Sequence, residues 1–122
     1  MTSDLVVFLR ARLDEEAARQ RDIWERWHHK DCEAVPDVLN PGRETGFCDC
    51  GVPERVLRDI EAKLRILDEH RGSDSYVYTD DGTPACSACG DSTIRHPCRT
   101  LHLLASVYDS HPDYREEWRR YA

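Results

Sequence analysis

No stretch of this sequence approaches the roughly 18 apolar residues that a membrane-spanning helix needs. The apolar run near the N-terminus, Leu5 to Leu9, is five residues long. No basic segment precedes it, so a secretory signal is not expected. Internal repeats and low-complexity tracts are lacking as well. So are the usual catalytic signatures: there is no Gly-rich phosphate loop, no H-E-x-x-H and no G-x-S-x-G. The zinc-deaminase pairing of H-x-E with P-C-x-x-C is unmatched, because Ala85 stands before Cys86 and no H-x-E lies upstream. His96-Pro97-Cys98 hints at a small metal nuclease, but the rest of such a site is missing.

Two further scarcities shape the expectations. Hydrophobic residues make up 39% of the 122 and charged ones 34%, which is lean for a domain that must offset its own chain entropy. Metal staples are a common remedy in small scaffolds. Basic charge is also in deficit. With 17 basic and 24 acidic residues the formal net charge is −7. That argues against a general nucleic-acid binder, which displaces counterions with a basic face. A local basic patch remains open, built from Arg95, Arg99 and the C-terminal Arg115, Arg119 and Arg120.

What the chain does have is six cysteines in two clusters, Cys32, Cys48 and Cys50, then Cys86, Cys89 and Cys98. Without an export signal the expected setting is a reducing cytoplasm, where cysteines favour metal over disulfide. Cys86-Ser-Ala-Cys89-Gly90 suits a tight knuckle that points two sulfurs at one ion. Cys98 follows at the expected start of a helix, and His102 stands one turn on. The pattern C-x2-C-x8-C-x3-H gives a first metal site of Cys86, Cys89, Cys98 and His102, with His96 as the rival fourth ligand. A second site is expected from His28, Cys32, Cys48 and Cys50, in the pattern H-x3-C-x15-C-x-C, with His29 as the rival to His28. An arrangement drawing four cysteines from both trios into one site is a further alternative.

Several thiolates with all-protein ligation point to structural zinc, since a catalytic zinc keeps a position open for water. Two Zn2+ ions are therefore expected. Each filled site sets three thiolates against two positive charges, which deepens the negative net charge. Cysteines buried as small hydrophobes, or a redox C-x-x-C, are the competing readings. The redox motif opens a helix after a strand in a larger α/β fold, and no such frame is seen here.

Around these sites the spacing predicts helices. Leu5, Phe8, Leu9, Leu13, Ala17, Trp24 and Trp27 recur at three- and four-residue steps over about Ser3 to His29, with Gln20 breaking the stripe. A long loop from about Lys30 to Val52 follows. A second helix is expected from Pro53, with Val56, Leu57, Ile60, Leu64 and Leu67 on one face and Gly72 as its C-terminal cap. Tyr76 to Thr79 reads as a short strand, and Asp80 to Thr83 as the turn of a hairpin that feeds the knuckle. A third helix is expected over about Cys98 to Tyr108, and a last one from Ser110 with Tyr114, Trp118 and Tyr121 on one side. The fold class is mostly α, a single domain over 1–122. In it the long N-terminal helix lies antiparallel to the second, with a small β-hairpin and zinc knuckle and a C-terminal helix.

Three segments together resemble an uncharacterised domain-of-unknown-function family of actinobacteria and their phages. They are Asp4 to Leu13, Arg55 to Lys63 with Ile66-Leu67, and Pro97 to Leu101 leading to His111-Pro-Asp-Tyr-Arg-Glu-Glu-Trp118. The resemblance covers about two thirds of the chain and implies a small intracellular protein that can be phage-borne. The function expected is that of a non-enzymatic, zinc-stabilised interaction or regulatory protein that binds a host protein. A zinc-finger-like nucleic-acid binder is the alternative, and a small metal-dependent hydrolase the third class. No membrane partner is expected.

Overall fold

The computed structural model describes residues 3–40, 42–73, 78–91 and 93–122. Among them are three α-helices, α1 (Asp4–Arg21), α2 (Val52–Glu69) and α3 (Arg99–Ser106), and a C-terminal 3₁₀ helix (Glu116–Tyr121). No sheet forms among the described residues. Three isolated antiparallel bridges, Gly72 with Cys86, Tyr78 with Pro84 and Ala85 with Arg95, take its place. The expected strand at Tyr76–Thr79 lies partly outside the described residues. The turn that follows it is present: Thr79 N–H donates to Thr83 O at 2.8 Å, and Gly82 adopts a positive φ of 81°.

The chain divides into two compact units. One comprises residues 1–14 and 62–122, the other Glu15–Glu61. In the first unit the periodic positions of α1 behave as the 3.6-residue repeat demands. Leu5, Phe8, Leu9 and Leu13 are buried, together with Leu67, Leu101, Ala105 and Trp118. Phe8 is the hub of an aromatic cluster, with ring centroids 6.3 Å from Tyr108, 5.8 Å from Tyr114 and 5.2 Å from Trp118. At the surface of this unit, Arg10 of α1 pairs with Asp68 of α2.

In the second unit α1 ends at Arg21, eight residues before the expected boundary at His29. Side chains take over from the helical ladder there. Asp22 Oδ1 accepts the N–H of Trp24 at 2.8 Å, and Gln20 Oε1 accepts that of Trp27 at 3.0 Å. Such local bonds offer the backbone an alternative to helix. Gln20, expected to interrupt the buried stripe, is instead 1% exposed, while Trp24 is 88% exposed. Among the described residues of this unit the buried ones are few: Ala17, Gln20, Cys32, Pro53 and Ile60. At about 1.5–3 kcal/mol for each large apolar side chain, so small a set is weak support for a 23–51 loop.

Two more boundaries differ from expectation. α2 closes at Glu69, where His70 N–H bonds Ile66 O at 3.0 Å. Gly72 is no cap: it runs against Cys86, and a Cβ there would lie 3.3 Å from Pro84 Cβ. The last helix starts at Glu116 rather than Ser110 and is of 3₁₀ type.

Candidate metal centres

The first half of the chain brings His28, Cys32, Cys48 and Cys50 together, with ligand atoms all within 4.8 Å of one another. The loop is folded back on itself to do so. Gly46 N–H donates to Glu33 O at 2.8 Å, and Asp49 Oδ1 accepts the Glu33 N–H at 3.0 Å. These two bonds set Cys48 and Cys50 beside Cys32. Gly46 makes this crossing close, since a Cβ on it would stand 3.1 Å from Glu33 Cβ. Gly51, with φ 71°, then turns the chain into α2. His29 stays outside, its Nδ1 accepting the Asp31 N–H at 3.2 Å.

The second cluster is His70, Cys86, Cys89 and Cys98, again within 4.8 Å. The knuckle is tied to the C-terminal end of α2. Ser87 N–H donates to Arg71 O at 2.9 Å, and Ser87 Oγ to Glu69 O at 2.9 Å. This brings the knuckle against His70, the residue that follows the helix. Gly90 turns the chain after Cys89 with φ 70°.

His102 is not in this cluster, and neither is His96. Cys98 is the N-cap of α3, with extended backbone at φ −79° and ψ 172°. Its side chain therefore departs before helical geometry begins, and the expected i,i+4 alignment with His102 does not exist. The His102 ring instead lies 5.0 Å from the Tyr121 ring. His96 packs beside Gly72, and its N–H bonds Pro84 O at 2.9 Å. Drawing both trios into one site is also overturned, because each trio closes with its own histidine. Sequence reasoning missed His70. The available signal was order: in both sets the histidine precedes its cysteines, and H-x15-C from His70 to Cys86 repeats the spacing of Cys32 to Cys48.

The geometry fits a tetrahedral ion. Metal bonds of 2.3 Å to sulfur and 2.0–2.1 Å to nitrogen give tetrahedron edges of about 3.8 Å for S···S and about 3.6 Å for S···N. In the first cluster His28 Nδ1 lies 3.5, 3.3 and 3.7 Å from the sulfurs of Cys32, Cys48 and Cys50, and Cys48 Sγ lies 3.8 Å from Cys50 Sγ. In the second, His70 Nδ1 lies 3.4, 3.7 and 3.4 Å from those of Cys86, Cys89 and Cys98. One imidazole nitrogen has a single lone pair or a single proton, so three sulfurs around it cannot all be its hydrogen-bond partners. A shared cation satisfies all four groups. All six cysteines are free thiols.

Electrostatics point the same way. Burial pushes the Cys89 thiol up to about 12, with the nearby sulfurs of Cys86 and Cys98 adding to it. Burial also opposes ionisation of Cys50, but hydrogen bonds from the backbone at His29 and Val52 and from the side chains of His28 and Cys32 together outweigh it and hold that thiol down to about 6. Three thiols this close do not ionise together unless a cation joins them.

A small, mostly helical protein with two Cys3His clusters able to hold metal ions is the class that fold and sites define. The chain belongs to a family of unknown function, DUF6221, which matches residues 2–120. No curated protein and no solved structure matches it. Membership agrees with the resemblance drawn from the three sequence segments. No helix among the described residues is long and apolar enough to cross a membrane.

Proposed function

We propose that this is a non-enzymatic interaction protein whose fold is held by two structural zinc ions, one bound by His28, Cys32, Cys48 and Cys50, the other by His70, Cys86, Cys89 and Cys98. The observation that carries this reading is the convergence of four protein donors in each cluster, all within 4.8 Å of one another. Three soft thiolates and one imidazole suit zinc. Four protein ligands leave no position for a reacting water, which sets a hydrolytic role aside.

The interaction role rests on the surface that the first centre supports. Trp24, Val38, Leu39 and Phe47 belong to the loop-rich unit and are 86–96% exposed. Tryptophan is prominent among interface anchors, and a chain of net charge −7 favours a basic protein partner. The phage-borne setting rests on the sequence resemblance alone.

Elemental analysis of purified protein should give two zinc ions per chain, and a strong chelator should lower the melting temperature sharply. An unchanged melting curve after verified metal removal would show the ions are not structural. Trp24→Ala and Phe47→Ala should leave the melting temperature in place and lose the partner captured by wild-type protein. Retention of that partner by both variants would remove the loop as the interface.

A further inference from the structure

The two centres use the same donors in different surroundings. In the second, Cys86 and Cys98 are buried, and Cys89 alone of its thiols is half-buried. In the first, Cys32 is buried, whereas Cys48 and Cys50 are both half-buried and their sulfurs lie 3.8 Å apart. The residues around that pair, Thr45, Gly46, Phe47, Asp49 and Gly51, are exposed. A small solute therefore meets two adjacent sulfurs of the first trio and one of the second.

The chain around each centre differs as well. The second knuckle has backbone bonds of its own. Cys86 N–H donates to Ile94 O at 2.8 Å, Ser87 N–H to Arg71 O at 2.9 Å and Ser73 N–H to Ala85 O at 2.8 Å. Ala85, next to Cys86, is 2% exposed, in the unit whose core includes Leu67 and Leu101. The first centre has no such backing. Among the described residues of 23–51 the single buried one is Cys32, itself a ligand. Gly46 N–H to Glu33 O and Glu33 N–H to Asp49 Oδ1 cross this loop. Other backbone bonds in it join near neighbours in turns, such as Cys32 to His29 and Val35 to Cys32. A stretch without apolar residues to bury depends on its ion for order.

We infer that the first centre is a site of oxidative modification. A peroxide converts two of its thiolates to a disulfide, its zinc leaves, and residues 23–51 lose their order, while the second centre keeps its ion. The inference rests on the zinc reading above. Cys48 or Cys50, the reachable sulfurs, attacks the peroxide as thiolate, the O–O bond breaks, and a sulfenic acid and a hydroxide ion form. A second thiolate of the trio displaces the sulfenic oxygen as hydroxide, and the S–S bond closes. Each of the two sulfurs gives up one electron, and the two peroxide oxygens take these up and depart as hydroxide. His28 and one thiolate remain, too few donors for an ion that needs four. Trp24 and Phe47 belong to the same stretch, so oxidation withdraws the exposed surface along with the metal.

Titration of the zinc-loaded full chain with hydrogen peroxide tests this. A chromogenic indicator reads zinc release, and peptide mapping after alkylation of the remaining thiols locates the oxidised residues. One of the two ions should be lost, a disulfide should form within Cys32, Cys48 and Cys50, and trypsin should begin to cut at Arg26, Lys30 and Arg43. A dithiol reductant with added zinc should restore the protected state. In the absence of peroxide, N-ethylmaleimide should label Cys48 and Cys50 before Cys86 and Cys98, a measurement that needs no variant to fold. Four results overturn the inference: no release in excess peroxide, loss of both ions together, oxidation of the second trio first, or sulfinic acid in place of a disulfide. A chain that binds no zinc before peroxide is added would overturn the zinc reading itself, and this inference with it.

Discussion

Replacing His70 and His102 in turn separates the centre seen in the structure from the one expected from the sequence. His70 Nδ1 faces three sulfurs at 3.4–3.7 Å, whereas His102 packs on Tyr121. Structural zinc sites contribute about 10–16 kcal/mol at neutral pH, so an even share for one of four ligands is about 3 kcal/mol. His70→Ala should therefore weaken metal binding at the second centre by roughly a hundredfold. The first centre, which His70 does not touch, should keep its affinity and serve as the internal reference. His102→Ala removes a buried ring and should cost about 1–3 kcal/mol in stability without altering metal affinity. Competition with a chromogenic chelator reads both affinities in one titration, and urea unfolding of the loaded protein reads the stability. A hundredfold loss in His102→Ala, with His70→Ala unaffected, would refute the assignment.

Three other outcomes follow from the packing. Leu101 is fully buried, so Leu101→Ala should cost about 2–5 kcal/mol in urea unfolding; a loss below 1 kcal/mol would contradict its place in the core. Gly82→Ala puts a side chain at φ 81° and should destabilise by about 1–2 kcal/mol, whereas Gly42→Ala, with open space around it, should be near neutral. Burial drives His102 below 6.5, its ordinary value, against a smaller opposing effect of the Trp118 backbone. The unfolded chain then binds a proton that the folded chain does not as the pH drops below 6.5. The stability this residue lends is full above 6.5 and lost as the pH falls through the folded value. An NMR titration of its imidazole should show a midpoint under 6.5, and one at or above 6.5 would refute the burial argument.

The helices were legible because burial imposes a period. Leu5, Phe8, Leu9, Leu13 and Ala17 repeat on one face and are buried, and Ile60 and Leu67 do the same in α2. Period alone could not end α1. Trp24 and Trp27 continue the repeat, but the side chains of Asp22 and Gln20 capture their backbone N–H groups and the helix stops. The cysteine trios were legible from spacing, since knuckles and short C-x-C pairs are local. The histidines were harder. His28 lies four residues from Cys32 in a tight segment, whereas His70 meets its cysteines only because Ser87 ties the knuckle back to α2. That tie is tertiary, and sequence proximity favoured His102 instead. The last segment was misread for a similar reason: Tyr114 and Trp118 pack on Phe8, so the chain from Ser110 follows the aromatic cluster and coils only after Arg115.

The two ligand sets follow one another along the chain and never interleave: residues 28–50 supply one, residues 70–98 the other. On a ribosome the first set is complete before any ligand of the second has been made. The stretch that carries it, Glu15–Glu61, is continuous, so its ion can be captured while synthesis proceeds. The other unit must wait for α3 and the 3₁₀ helix to return to the face of Leu5, Phe8 and Leu9. If each set takes an ion, the order of synthesis offers one to the first set before the second exists.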